Sequence, residues 1–190
     1  MNTLAIRGII PPMLTPFTEE GELDAAAHVR NLKRWERDEL GGYLVLGSNG
    51  ETPYLTETEK LKLIDLTVEH ASKTVIAGTG LESTRETIRF TKLAAARGAR
   101  AALVLTPCFF GAHMSGEALV KHFRAVADAS TIPILLYSVP AYTHLAISVD
   151  AVASLSKHPN IIGMKDSSGD MPRFAALKNA TDPSFNLIVG

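Results

Sequence analysis

The chain has 190 residues, 46% of them hydrophobic and 21% charged, with a formal net charge of −1, so it offers no basic surface for nucleic acid or an anionic membrane. Its single cysteine, Cys108, excludes an internal disulfide and any multi-cysteine zinc site, and suits a reducing compartment. No apolar run approaches the roughly 18 to 20 residues needed to span a bilayer, and Met1–Arg7 is too short for a signal peptide and shows no transit peptide, so the expectation is a soluble cytoplasmic protein with an intact start, a mitochondrial location staying open.

Gly8–Leu14 (GIIPPML) reads as a first strand whose two prolines place it at a margin of the sheet. The spacing of Ala25, His28, Val29, Leu32 and Trp35 predicts a helix over Asp24–Leu40, stopped by Gly41-Gly42. Tyr43–Leu46 is a second strand, followed by Gly47-Ser48-Asn49-Gly50-Glu51. Thr56 and Glu59 form a capping box for a helix whose apolar face carries Leu61, Ile64, Val68 and Ala71. Thr74–Ala77 is a third strand, ending in Gly78-Thr79-Gly80. Ser83 and Glu86 cap the next helix in the same way, and Gly98 stops it. Ala101–Leu105 is a fourth strand, and Ser115–Ala129 a helix with Leu119, Phe123 and Val126 on one side. Ile134–Tyr137 is a fifth strand, Ser148–Ser156 a short helix, and Ile161–Lys165 a sixth strand. Pro172–Lys178 is a helix with proline in its first turn, and Asn186–Val189 begins a seventh strand.

A strand–helix unit recurring about every thirty residues implies right-handed βαβ crossovers and a parallel sheet. Doubly wound sheets and (β/α)8 barrels both fit. Glycine and polar residues gather after the strands, where either fold places its active face. The first βα turn has no G-x-G-x-x-G, which counts against a dinucleotide fold. Seven uninterrupted units favour the barrel, an α/β (β/α)8 TIM barrel, with residues 1–190 forming one domain.

Three segments after strands could carry chemistry. In Ile161-Ile162-Gly163-Met164-Lys165-Asp166, a lysine closes an apolar run. Desolvation there favours the neutral amine, a nucleophile toward carbonyls; the plain alternative is an edge-strand lysine that blocks aggregation. Tyr137 closes the preceding strand and could meet Lys165, though a tyrosine is more often a core residue. Ser48 and Asn49, with free backbone N–H groups around them, make a plausible carboxylate cradle, though they are also ordinary turn residues. Together these are the parts of a Schiff-base enzyme acting on a small-molecule 2-oxo acid. The six histidines show no metal-ligand spacing, so no metal is expected. Cys108, beside Phe109 and Phe110, is expected to be unreactive.

GSNGE at 47–51, TPCFF at 106–110, YSVPA at 137–141 and GMKDSSGD at 163–170 together resemble the dihydrodipicolinate synthase / N-acetylneuraminate lyase family of class I aldolases, and most closely its 4-hydroxy-2-oxoglutarate aldolase branch. The resemblance runs in order through nearly the whole chain. It implies a (β/α)8 barrel, commonly a homotetramer, that needs no cofactor. It implies that Lys165 forms the Schiff base, that Tyr137 shuttles protons, that Ser48 and Asn49 hold the pyruvate carboxylate, and that Gly190 lies near the substrate.

Three features depart from the family pattern. Phe109 stands where much of the family has a tyrosine that reaches a neighbouring subunit's proton relay, and a phenyl ring cannot pass a proton. Tyr142 stands where some synthases have an arginine for a second carboxylate, which argues against dihydrodipicolinate synthase activity. A (β/α)8 barrel usually takes about 250 residues, so strand eight and the last helices are missing. An incomplete barrel has unpaired edges, and the chain alone is expected to fold poorly or to associate. The expected activity is pyruvate-dependent lyase chemistry. Dihydrodipicolinate synthase or another pyruvate-dependent lyase of the family, and a truncated non-catalytic paralogue acting as an interaction subunit, are the alternatives.

Overall fold

The computed structural model describes Leu4 and residues 6–190; most of the amino-terminal stretch considered above for a leader lies outside the described residues. Among the described residues the order of elements is α1 (Ala25–Trp35), β1 (Gly42–Val45), α2 (Glu57–His70), β2 (Thr74–Gly78), α3 (Thr84–Ala96), β3 (Ala101–Leu105), α4 (Gly116–Ala129), β4 (Ile134–Ser138), α5 (Pro140–Thr143), α6 (Val149–Leu155), β5 (Ile161–Asp166), α7 (Met171–Ala180) and β6 (Asn186–Val189). This alternation is the α/β order of an incomplete (β/α)8 fold. The described residues fall into two compact units. One holds Ile6–Gly78 and Leu93–Ala102; the other holds Thr79–Lys92 and Leu103–Gly190. No described helix is long and apolar enough to cross a membrane.

In the first of these units β1 and β2 pair in parallel, from Gly42↔Thr74 to Val45↔Ala77, and every residue of β1 is buried. Burial on both faces is why Tyr43-Leu44-Val45 is continuously apolar rather than alternating. Gly8–Leu14 is not a strand. It makes one parallel bridge, Pro12↔Leu44, flanked by Met13 N–H donating to Leu44 O and Leu44 N–H donating to Pro11 O. Pro11 and Pro12 have no N–H to extend the ladder, so the described strands number six rather than seven.

Asp24 caps α1 by accepting from Ala27 N at 2.8 Å. The helix ends at Trp35, five residues before the expected stop. Beyond it, Lys73 Nζ draws the carbonyls of Glu36 and Asp38, at 3.3 and 3.1 Å, away from helical partners. The Glu36 carboxylate accepts from Ser72 N at 3.2 Å and from the Ser72 hydroxyl. The Thr56–Glu59 capping box of α2 is present in both directions. The helix buries Leu63, Ile64, Leu66 and Thr67, with Leu61, Val68 and Ala71 only half-buried. The buried arc is turned from the expected stripe because α2 packs on α1 as well as on β1 and β2. His28 and Leu32 of α1 meet this arc, with His28 Nε2 at 2.9 Å from Thr67 Oγ1. Thr67 spends its one proton on Leu63 O at 2.7 Å, so His28 Nε2 is the donor.

In the other unit the strand order is β4-β5-β6, with β4–β5 and β5–β6 parallel. β4 is buried along its whole length. Ser115 caps α4, which buries Leu119, His122, Phe123, Val126 and Ala127; Ser148 caps α6. Ser83 Oγ accepts from Glu86 N at 3.4 Å at the start of α3, while the Glu86 carboxylate accepts from Arg89 Nε. Asn160 ties the β4 approach together by donating to the carbonyls of Ala127, Ser130 and Ile132.

His28 and His122 are 1% and 6% exposed. Burial pushes each imidazole down to about 4; the neighbouring His70 adds to this at His28, and Glu82 opposes it at His122. Both are therefore neutral in the folded chain, whereas an unfolded histidine takes up its proton near pH 6.5. As pH falls from about 6.5 toward 4 the unfolded state binds more protons, and each histidine removes at most about 3 kcal/mol of stability. Urea midpoints should be level above about pH 7 and should fall between pH 6.5 and 5, a window above carboxylate titration. His28→Gln should reduce that slope by about half; a slope unchanged by the substitution would refute the assignment.

Candidate active site

The site strand is β5. Its pairing with β4 starts at Ile134↔Ile161 and then shifts register by one residue, so that Leu135 faces Gly163, Tyr137 faces Lys165 and Ser138 faces Asp166. Opposed residues on paired strands share a face. Lys165 Nζ lies 4.7 Å from the centroid of the Tyr137 ring, within the distance at which a cation is attracted to an aromatic face. Tyr137 is 5% exposed and Lys165 half-buried. The amine is thus near the phenol and accessible enough to meet a small molecule.

β6 closes in from the other side. Lys165 pairs with Ile188, and Gly190 N–H donates to Asp166 O at 3.0 Å. A Cβ at Gly190 would stand 2.5 Å from Lys165 Cε and 2.1 Å from Ser167 Oγ. Gly190 therefore lies against the Lys165 side chain. Gly163 has a harder constraint: a Cβ there would lie 2.3 Å from Asn186 O. Ser167 N–H donates to Ser138 O at 2.9 Å. The hydroxyl oxygens of Ser138 and Ser167 are buried and have no hydrogen-bond partner among the described residues. Such groups are costly unless a polar ligand satisfies them.

Ser48 and Asn49 lie in the unit that holds β1, in a 3-10 turn, Ser48–Gly50, directly after the strand. Ser48 is half-buried and Asn49 exposed. The turn is pinned by Thr15 Oγ1 donating to Gly50 O at 2.6 Å and Thr52 Oγ1 donating to Gly47 O at 2.9 Å. Leu46 enters it at φ 60° while only 4% exposed. A left-handed buried leucine is uncommon and is held in place only by its surroundings, as happens at functional turns. Nothing in the sequence marks Leu46 for this.

Two further groups escaped the sequence reading. Glu82 accepts from Cys108 N at 2.9 Å, Phe109 N at 2.8 Å and Cys108 Sγ at 3.3 Å, so it fixes the loop after β3. Burial first, then the Glu82 hydrogen bond and charge, push the Cys108 thiol up. Burial and then Glu82 thus favour the protonated thiol over the thiolate. The Phe109 and Phe110 rings are 78% and 66% exposed and meet each other edge to face at 4.9 Å. Tyr142, at 69% exposed, ends in solvent on α5, a one-turn helix opened by Pro140 that periodicity is too short to reveal. The second missed group is Asp166, 4% exposed and paired with Arg173 at 2.9 Å. Its only sequence signal is a carboxylate next to a lysine in an apolar strand.

A parallel α/β chain whose neighbouring strands deliver a lysine and a tyrosine to one face defines an incomplete (β/α)8 protein with an amine at its strand ends. The chain belongs to the Dihydrodipicolinate synthetase family, whose model matches residues 5–190. It is 36% identical over 184 residues to 4-hydroxy-tetrahydrodipicolinate synthase of Methanococcoides burtonii, covering 96% of this chain and 62% of that protein. It is 39% identical over 192 residues to a probable mitochondrial 4-hydroxy-2-oxoglutarate aldolase of Emericella nidulans, covering 97% and 62%. The crystal structure of dihydrodipicolinate synthase from Acinetobacter baumannii complexed with pyruvate superposes with a TM-score of 0.90 at 35% identity, covering 98% of this chain and 64% of that one. The chain spans about 62% of the length of the curated relatives it matches.

The two glycines predict opposite outcomes. Gly163→Ala drives a methyl into backbone and should cost about 2 kcal/mol or more in urea unfolding. Gly190→Ala meets only the ends of two side chains. It should leave stability within about 0.5 kcal/mol while displacing the Lys165 amine.

Proposed function

We propose that the protein is a pyruvate-dependent Schiff-base lyase, with 4-hydroxy-2-oxoglutarate as its substrate and pyruvate and glyoxylate as products. The observation that carries this is the Lys165 amine beside the Tyr137 ring on paired strands. In the reaction the amine adds to the 2-oxo carbon and loses water to give a protonated imine. The bond between C3 and C4 then breaks, its electron pair moving into the imine to give an enamine. The proton of the C4 hydroxyl leaves through the Tyr137 oxygen as glyoxylate forms. Protonation at C3 and hydrolysis release pyruvate and regenerate the amine, so no external oxidant or cofactor is consumed. Ser48 and Asn49 are proposed as the hydrogen-bond donors to the carboxylate, and Gly190 as a contact to the substrate. By the same likeness the working form is a homo-oligomer.

A second reading is synthesis of the dihydrodipicolinate precursor, favoured by the name of the Methanococcoides relative. The resemblance puts Tyr142 where an arginine for a second carboxylate is expected, and because glyoxylate also carries a carboxylate the position weighs on both readings. A panel of aldehyde partners separates the two. The third reading, a non-catalytic interaction subunit, predicts co-purification with a longer homologue and no turnover.

Borohydride added with pyruvate should leave a mass adduct on Lys165, found by peptide mass spectrometry; no adduct there would defeat the mechanism. Tyr137→Phe should retain the adduct while turnover falls by about 10² to 10³.

A further inference from the structure

Asp166 takes no part in the chemistry above. It follows Lys165 in β5, and strand alternation turns it to the opposite face, yet it is 4% exposed. Its Oδ1 accepts from Ser168 N at 2.9 Å and from the Ser168 hydroxyl. Its Oδ2 accepts from Arg173 Nε at 2.9 Å. The Arg173 side chain, 14% exposed, sits in the first turn of α7, and its other arm donates to Ile147 O just before α6. Asp170 Oδ1 holds Arg173 from the backbone side, accepting from its N–H at 2.9 Å.

An ion pair this deep gives little net stability, because desolvating both charges offsets most of their attraction. Its geometric consequence is larger. The backbone of residues 165–168 is held by Ser138 O on the β4 side and by Gly190 N–H on the β6 side. The carboxylate ties the turn to the strand, and the guanidinium ties the strand to the segments that open α6 and α7. With these in place the strand end that carries Lys165 is held through both its backbone and the Asp166 carboxylate.

The structure assigns Asp166 and Arg173 as positioning residues for Lys165: their buried ion pair fixes the end of β5 so that the amine stays beside the Tyr137 ring. This rests on Lys165 being the imine-forming residue of the proposed lyase.

The test compares Asp166→Asn, Arg173→Met and Arg173→Lys with the unaltered chain, all corrected to the folded fraction from melting curves. One readout is pyruvate trapping by borohydride across a range of pyruvate concentrations. The other needs no substrate: methylation of Lys165 by formaldehyde and cyanoborohydride, taken as a ratio to exposed Lys33 in the same sample. Releasing the strand end should raise the methylation ratio about threefold as the amine becomes more exposed. The limiting trapping rate should fall about tenfold or more as the amine loses its alignment, with half-saturating pyruvate within about twofold. Arg173→Lys keeps the charge without the fork, and should recover part of both changes. A role in stability alone would move neither readout after correction, and that result would overturn the assignment. If the unaltered chain traps no pyruvate, the lyase reading fails by itself. The methylation ratio then decides: a rise supports the positioning role and an unchanged ratio overturns it.

Discussion

A one-residue register shift between β4 and β5 determines which side chains meet at the site. Ile134 faces Ile161; had the strands continued in step, Tyr137 would face Met164. The shift instead sets Leu135 against Gly163 and Tyr137 against Lys165. Side chains alternate with a period of two, so a slip of one residue moves a side chain to the opposite face of the sheet. Amine and phenol therefore share a face because of a local irregularity, not in spite of one. Gly163 makes the shifted arrangement possible. Asn186 O of β6 and Leu135 Cδ2 of β4 both crowd the place where its Cβ would be. Asn186 also donates its side-chain amide to Ile162 O at 2.7 Å, which holds β6 at the same level.

Beyond the strand ends there is no ladder to satisfy backbone groups, and side chains take over that role. After β1, Thr15 donates to the carbonyl of Gly50 and Thr52 to that of Gly47. After β3, the Glu82 carboxylate collects two consecutive N–H groups. After β5, Asp166 does the same work for Ser168 with a buried charge and an arginine partner. The segments that carry candidate site residues are thus fixed one by one, by a nearby residue after β5 and by residues distant in the chain, Thr15 and Glu82, after β1 and β3. Such side chain–backbone bonds define positions more than they add stability, since each is worth only about 1 kcal/mol net.

The repeating units were legible because parallel strands buried on both faces leave long apolar runs, and β3 matches its expected bounds to the residue. The capping box of α2 was legible because both of its partners lie within four residues. Lys165 and Tyr137 stood out as polar residues closing apolar runs. What escaped depends on residues far apart in the chain. The early end of α1 is set by Lys73 and Ser72, and the rotated face of α2 by its packing on α1. The Arg173 partner of Asp166 is invisible until α7 folds back toward β5. Gly8–Leu14 misled for a local reason: its composition suits a strand, but two missing N–H groups leave a single bridge.

The same logic separates what family membership constrains from what it leaves open. Imine chemistry needs the amine, a nearby proton relay and a carboxylate cradle, and relatives named for different reactions match this chain over nearly its whole length. Choice of aldehyde is made at the far end of the substrate, by groups that need not touch the imine. Phe109 and Tyr142, the two residues expected to depart from the family pattern, are both exposed rather than packed in the interior. A second carboxylate is common to both candidate aldehydes, so an aromatic position without a cation weighs equally on each, and the choice falls to groups that read the stretch between the carboxylate and the reacting carbon.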